Sequence, residues 1–225
     1  MDRKNIATRY QQPTENLLMD IATLAKKTPN LIDLSIGDPD LITDERIIEQ
    51  AANDAKNGHT KYTASDGSEA FIEAVIQFYQ SHYQLSFQPN QVRATVGARH
   101  GMYLALQVIL NPGDEVIIPQ PSYVSYVPCT VLAGGTPVIV ELKEENDFRL
   151  TAEELEAVIT PKTKILIMPF PNNPTGAIME KADLEAIVQV VKEHDLFVIS
   201  DEIYSELTYV DKHVSIASFP GMKER

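Results

Sequence analysis

An α/β fold, with a mostly parallel sheet and flanking helices, is the class this sequence predicts, and three observations predict it. Leu196-Phe197-Val198-Ile199 is apolar without alternation, the pattern of a strand covered on both faces. From Val92 onward, strand-like and helix-like stretches take turns, as parallel strands joined by right-handed crossovers require. The strand-like stretches also run into clusters of Gly, Pro, Asn and Asp that carry chemistry. Open α/β sheets hold their ligands outside those carboxyl ends.

Taken in order, residues 1 to 30 are polar and mixed, with a helical patch around Leu17 to Leu24. Leu31 to Ile36 alternates like a short strand and runs into the turn Gly37-Asp38-Pro39-Asp40. Asp44 to Asn57 reads as a helix with Asp44 as its cap. Lys61 to Gly67 is a loop, and Ser68 to Tyr83 an amphipathic helix in which Phe71, Ile72, Val75, Ile76 and Phe78-Tyr79 recur at helical spacing. Val92 to Val96, Glu115 to Ile118, Pro137 to Leu142, Lys164 to Phe170 and Leu196 to Ile203 are the expected strands. Met102 to Leu110, Ala152 to Val158 and Lys181 to His194 are the expected helices. Residues from about 46 onward are expected to form one layered domain.

With 225 residues, the chain can bury a substantial core. The formal charge of -13 argues against nucleic acid or an anionic membrane as partner, though not against a small anionic ligand met by a local field. The single cysteine, Cys129, excludes an internal disulfide and suits a reducing, cytoplasmic setting. No basic start leads into an apolar run, so no signal peptide is expected. Val116 to Val140 contains no charged residue, but Pro119, Pro121, Pro128, Pro137 and Gly134-Gly135 would break a spanning helix. It reads instead as strand, loop, short helix, turn, strand. The five histidines are scattered, and no His/Cys cluster suggests a metal.

Four of the five expected strand ends carry a candidate site. Gly97-Ala98-Arg99 opens a helix, where free N–H groups and the positive helix end favour an anion. Pro121-Ser122-Tyr123 presents a ring that could stack on a planar ligand. Pro171-Asn172-Asn173-Pro174-Thr175-Gly176 pins Asn173 between constrained neighbours, where its amide can donate to a ligand oxygen. Asp201 and Tyr204 follow the apolar strand, and a carboxylate there needs a positive charge or several donors. An anion cradle, an aromatic wall, an amide and a carboxylate with a phenol suit a planar, phosphorylated, cationic ring.

These residues, with Gly37-Asp38-Pro39-Asp40, Tyr62 and Gly67, and Asp201-Glu202-Ile203-Tyr204, resemble the class I/II aminotransferases of the fold-type I pyridoxal-phosphate enzymes. The match in order and spacing runs along nearly the whole chain. The resemblance implies that residues 1–45 form an N-terminal arm and small-domain segment, and 46–225 an incomplete pyridoxal-phosphate-binding large domain. It implies that Asp201 pairs with the ring nitrogen, that Asn173 and Tyr204 donate to the ring hydroxyl oxygen, and that Tyr123 stacks on the ring. The N–H groups of Ala98 and Arg99, in the turn begun by Gly97, would hold the phosphate. Tyr62 would reach the phosphate of a partner subunit in a homodimer. Gly37 and Asn173 would lie at the substrate site, which takes an amino acid and a 2-oxo acid.

The family's cofactor-bearing lysine follows a further strand, in a Ser-x-x-Lys-like motif that does not occur before Arg225. Lys223, in Gly-Met-Lys-Glu-Arg, does not match it and reads as a solvated lysine. The arginine after that lysine and the small-domain arginine for substrate carboxylate are likewise absent. The expectation is therefore an N-terminal part of a longer enzyme, inactive by itself, in which the Val92 to Val96 strand lacks its sheet partners. A carbon–sulfur lyase or decarboxylase of the same fold would use the same anchors, and a non-catalytic ligand-binding module is a further alternative. An ATPase, suggested by the strand ending in Asp-Glu, would need a G-x-x-x-x-G-K-[ST] loop, and the sequence has none.

Overall fold

A computed structural model describes residues 7, 21, 23–32, 37 and 40–225. Most of the expected Leu17 to Leu24 helical patch, and Asp33 to Ile36 with Asp38 and Pro39, lie outside the described residues. The chain divides into two compact units, one ending at Lys61 and the other running from Tyr62 to Arg225. In the first unit, helix α1 (Glu45–Lys56) begins at Asp44, whose carboxylate accepts from the Arg46 N–H as the sequence suggests.

The second unit opens with α2 (Glu69–Tyr83), capped by the Ser68 hydroxyl and ended by Gln84 in the left-handed conformation. After α3 (Ala98–Ile109) come β1 (Glu115–Gln120), α4 (Tyr126–Leu132), β2 (Thr136–Glu141), α5 (Ala152–Glu156), β3 (Thr163–Met168), α6 (Lys181–Glu193) and β4 (Phe197–Ser200). The four strands form one sheet in the order β2-β1-β3-β4. Every pairing is parallel, with Ile118 opposite Ile139, Ile117 opposite Leu166, and Leu166 opposite Val198.

Period-two alternation splits each central strand between two cores. Val116, Ile118, Ile165 and Ile167 pack with Met102 and Leu106 of α3 and with Tyr126 and Cys129 of α4. Ile117, Leu166 and Met168 face the other way, toward Leu155 of α5 and Leu184, Ile187 and Val191 of α6. Helices on both faces explain why β1 and β3 read as continuous apolar runs. Thr151–Glu154 and Glu180–Asp183 form reciprocal capping boxes at the starts of α5 and α6.

Two expectations are corrected. Val92 to Val96 is not a strand: a strand exists only as part of a ladder, and no neighbour runs beside it among the described residues. Its one backbone tie of note is the Ala94 N–H to the Asp66 carbonyl at 2.7 Å. The Leu196 to Ile203 stretch is not buried on both faces either. Its strand ends at Ser200 and forms the sheet edge, with Phe197 43% exposed and only Leu196, just before it, fully buried. The outer side of β4 donates from Val198 N–H to the Arg225 carbonyl at 3.0 Å. Helix α3 starts at Ala98 rather than Met102, so Ala98 and Arg99 sit in its first turn.

Candidate active site

The carboxyl ends of β1, β3 and β4 and the N-terminus of α3 surround one cavity of about 640 Å³. Gly97, Ala98, Arg99, Tyr123, Asn173, Asp201 and Tyr204 all line it. The structure therefore brings together the candidates named from separate stretches of sequence. Tyr62, in the same unit, is fully exposed and does not line this cavity. Gly37 is an exposed residue of the first unit.

The positive end of the cavity is built by α3. Gly97 is its N-cap, with φ 77° and ψ 161° and no side-chain cap. The first-turn N–H groups of Ala98 and Arg99 have no carbonyl one turn earlier within the helix, so they remain available to an anion. Gly97 holds a backbone region that is essentially reserved for glycine, and the space where a Cβ would stand is open. Strain rather than collision thus decides a substitution. Gly97→Ala is expected to lose about 1–3 kcal/mol of stability, or to turn the peptide away from the cavity. Urea unfolding together with phosphate binding would measure both effects; unchanged values would show that the turn tolerates a side chain.

Tyr123 forms a wall. The Arg99 guanidinium lies 5.4 Å from its ring centroid and donates to its hydroxyl. Hydrogen bonding from Ser125 and then from Arg99 lowers the Tyr123 phenol below the usual tyrosine range. Its ring meets that of Tyr126 edge to face, with centroids 5.7 Å apart at 79°, a favourable aromatic geometry.

The loop after β3 owes its shape to Asn172, which is 4% exposed. Its Nδ2 donates to the Pro121 carbonyl at 3.2 Å, tying this loop to the one after β1. Its Oδ1 accepts from the Thr175 N–H at 3.2 Å and from the Thr175 hydroxyl at 2.9 Å. With Asn172 fully engaged, its neighbour Asn173 is the one presented to the cavity.

Asp201 stands at the end of β4, its N–H donating to the Met168 carbonyl at 2.9 Å. Its Oδ1 accepts from the Ile203 N–H at 3.3 Å, and its Oδ2 from the Tyr126 hydroxyl at 2.9 Å. No helix begins between Asp201 and Ser215, so this carboxylate is not a helix cap. Burial first, and then the negative charge of Asp201, push the Tyr126 phenol upward; it stays protonated and donates across the working pH range. Tyr126 is 3% exposed, and sequence reasoning missed it, as it missed Asn172. The Tyr123-x-x-Tyr126 spacing, which puts both rings on one side of a helical turn, was the available signal. Tyr126→Phe is expected to destabilise the fold by about 1.5–3 kcal/mol, the contribution of a hydrogen bond to a charged group. Urea unfolding would check this, and wild-type stability would show that Asp201 needs no such support.

Among the described residues no lysine lines the cavity. Lys223 is half-buried rather than solvated, donating to the Ser86 carbonyl and lying 5.2 Å from the Phe87 ring centroid. Among the described residues no helix is long and apolar enough to cross a membrane.

This fold has close counterparts among known proteins. The structure of aspartate aminotransferase from Rhizobium meliloti superposes with a TM-score of 0.91 at 32% identity, covering 96% of this chain and 56% of that one. Aspartate aminotransferase from Thermus thermophilus with maleate gives a TM-score of 0.88 at 35% identity, over 95% and 57%. In sequence, aspartate aminotransferase from Geobacillus stearothermophilus is 42% identical over 224 residues, 97% of this chain and 57% of its own length. Aromatic-amino-acid aminotransferase 2 of Thermococcus litoralis is 40% identical over 222 residues, 98% and 57%. The family profile for aminotransferase class I and II matches residues 29–224, and the chain belongs to that family. It spans about half the length of the curated relatives it matches.

Proposed function

We propose that the protein carrying this chain is a pyridoxal-phosphate-dependent aminotransferase, moving an amino group between an amino acid and a 2-oxo acid. The observation that carries this reading is the Asp201 carboxylate, held by Tyr126 in the same cavity as Tyr123, Asn173 and the open N-terminus of α3. The donor set fits the cofactor. First-turn N–H groups suit a phosphate, Tyr123 suits an aromatic face, and an ionised carboxylate suits a protonated ring nitrogen. When bound, pyridoxal phosphate supplies an electron sink for the carbanion of the substrate.

The chain's own residues bind and orient. Asp201 holds a proton on the facing ring nitrogen, because each charge favours the other. Asn173 and Tyr204 donate to the ring hydroxyl oxygen, and Ala98 and Arg99 fix the phosphate end through backbone N–H groups. Asn173 also belongs to the substrate site. Tyr62, fully exposed in this chain, serves the phosphate of a partner subunit, which makes the working unit a homodimer. Residues 46–225 act as the cofactor-binding domain and residues 1–45 as an N-terminal arm and small-domain segment. The single cysteine suits a cytoplasmic location.

Equilibrium dialysis of the chain with pyridoxal phosphate tests the reading, followed by borohydride reduction. Saturable uptake of one equivalent, weakened by inorganic phosphate, is expected, with no covalent trapping because no lysine lines the cavity among the described residues. Absence of saturable uptake, or trapping at Lys223, would overturn it.

A further inference from the structure

Glu202 follows Asp201 in sequence but does not line the cavity. Its side chain is 9% exposed, and its Oε1 lies 3.3 Å from Nε2 of His213, itself 10% exposed. The Ser200 hydroxyl donates to the same Glu202 oxygen at 2.9 Å. The His213 Nε2 is fully buried and makes no aligned hydrogen bond among the described residues. The Glu202 carboxylate, within ion-pair reach, is the partner the site offers it. A carboxylate is costly to bury unless a charge or donor compensates it.

The residues between this pair have little else to hold them. Ile203, Leu207, Tyr209 and Val210 are exposed, and no helix or strand forms from Asp201 to Ser215. The internal ties are two turn bonds, Ser205 N–H to the Glu202 carbonyl and Leu207 N–H to the Tyr204 carbonyl, each 2.9 Å. Tyr83 adds an exposed bond to Glu206 at 3.4 Å and sets its ring edge-on to His213, with centroids 5.9 Å apart. A segment so poor in buried contacts opens easily unless its ends are joined. Tyr204 sits on this loop and lines the cavity.

We propose that Glu202 and His213 are a positioning pair: their buried contact closes the 202–213 loop on the end of β4 and so keeps Tyr204 and Asp201 at the cavity. The clamp itself is independent of the functional reading; its consequence for cofactor affinity rests on that reading.

Hydrogen exchange read by mass spectrometry tests it, on Glu202→Gln, His213→Gln, the double variant, and the exchanged pair Glu202→His with His213→Glu. Each single variant is expected to exchange its 203–212 amides about tenfold faster while β1 and β3 keep wild-type protection. The double variant should lose no more than either single one, and the exchanged pair should regain part of the protection. The dissociation constant for pyridoxal phosphate should rise about fivefold in each single variant, about 1 kcal/mol. Unchanged loop exchange, additive losses in the double variant, no recovery in the exchanged pair, or equal acceleration across the sheet would overturn the clamp. Faster loop exchange with unaltered affinity would overturn the positioning role. Failure of the wild-type chain to take up the cofactor would instead overturn the functional reading and leave the clamp to be judged by exchange alone.

Discussion

Asp201→Asn is expected to lower kcat by on the order of 10²-fold in the protein carrying this chain, with pyridoxal phosphate still bound. The amide occupies the volume of the carboxylate, and its oxygen can still accept from the Tyr126 hydroxyl or the Ile203 N–H. What it removes is the negative charge, and with it the preference for a protonated ring nitrogen. On the proposed reading the phosphate end is held elsewhere, at the first turn of α3, so retention would depend on other groups and turnover on this one. Asp201→Ala should behave in the same direction and more severely, because it also deletes the partner of a hydroxyl that is almost wholly buried. Comparing kcat with cofactor content after gel filtration distinguishes the two effects. Wild-type turnover in either variant would remove Asp201 from the chemistry.

Leu106→Ala is expected to destabilise the fold by about 2–5 kcal/mol. Leu106 is fully buried on the inner face of α3, in the core it shares with Val116, Ile118, Ile165 and Ile167. Removing its branched end loses transfer energy and leaves a cavity that the rigid sheet beneath cannot close. Because α3 also carries the Gly97-Ala98-Arg99 turn, loosening its seat should weaken phosphate uptake as well. Urea unfolding followed by circular dichroism, with a melting temperature expected to fall by roughly 5–15 °C, measures the first effect. A loss below about 1 kcal/mol would mean that the helix is not anchored through this residue.

Much of the architecture was legible in the chain. β1 and β3 announced themselves as apolar runs because helices cover both faces of the sheet. Asp44 and Ser68 marked helix starts because a side-chain oxygen there satisfies a backbone donor that nothing else reaches. The candidate site was legible for a related reason. Gly97, Tyr123, Asn173 and Asp201 each follow a strand-like stretch, and parallel strands deliver all their carboxyl ends to one edge. Val92 to Val96 has the composition of a strand but forms none, because β-propensity speaks for a residue's fit to a pleated surface and the expected sheet partners are not among the described residues. Tyr126 and Asn172 went unnoticed because each acts through a partner far along the chain: Asp201 for one, the Pro121 carbonyl for the other.

Local order, the succession of elements and the residue types at the strand ends were determined by the sequence itself, through periodicity, capping and turn chemistry acting over a few residues. Only the tertiary structure decided which strand became an edge, which asparagine was consumed in holding its loop, and that a tyrosine of α4 supports the carboxylate after β4. Those outcomes depend on contacts between distant segments, which form when packing brings the backbone groups together and leaves each polar atom to find its partner.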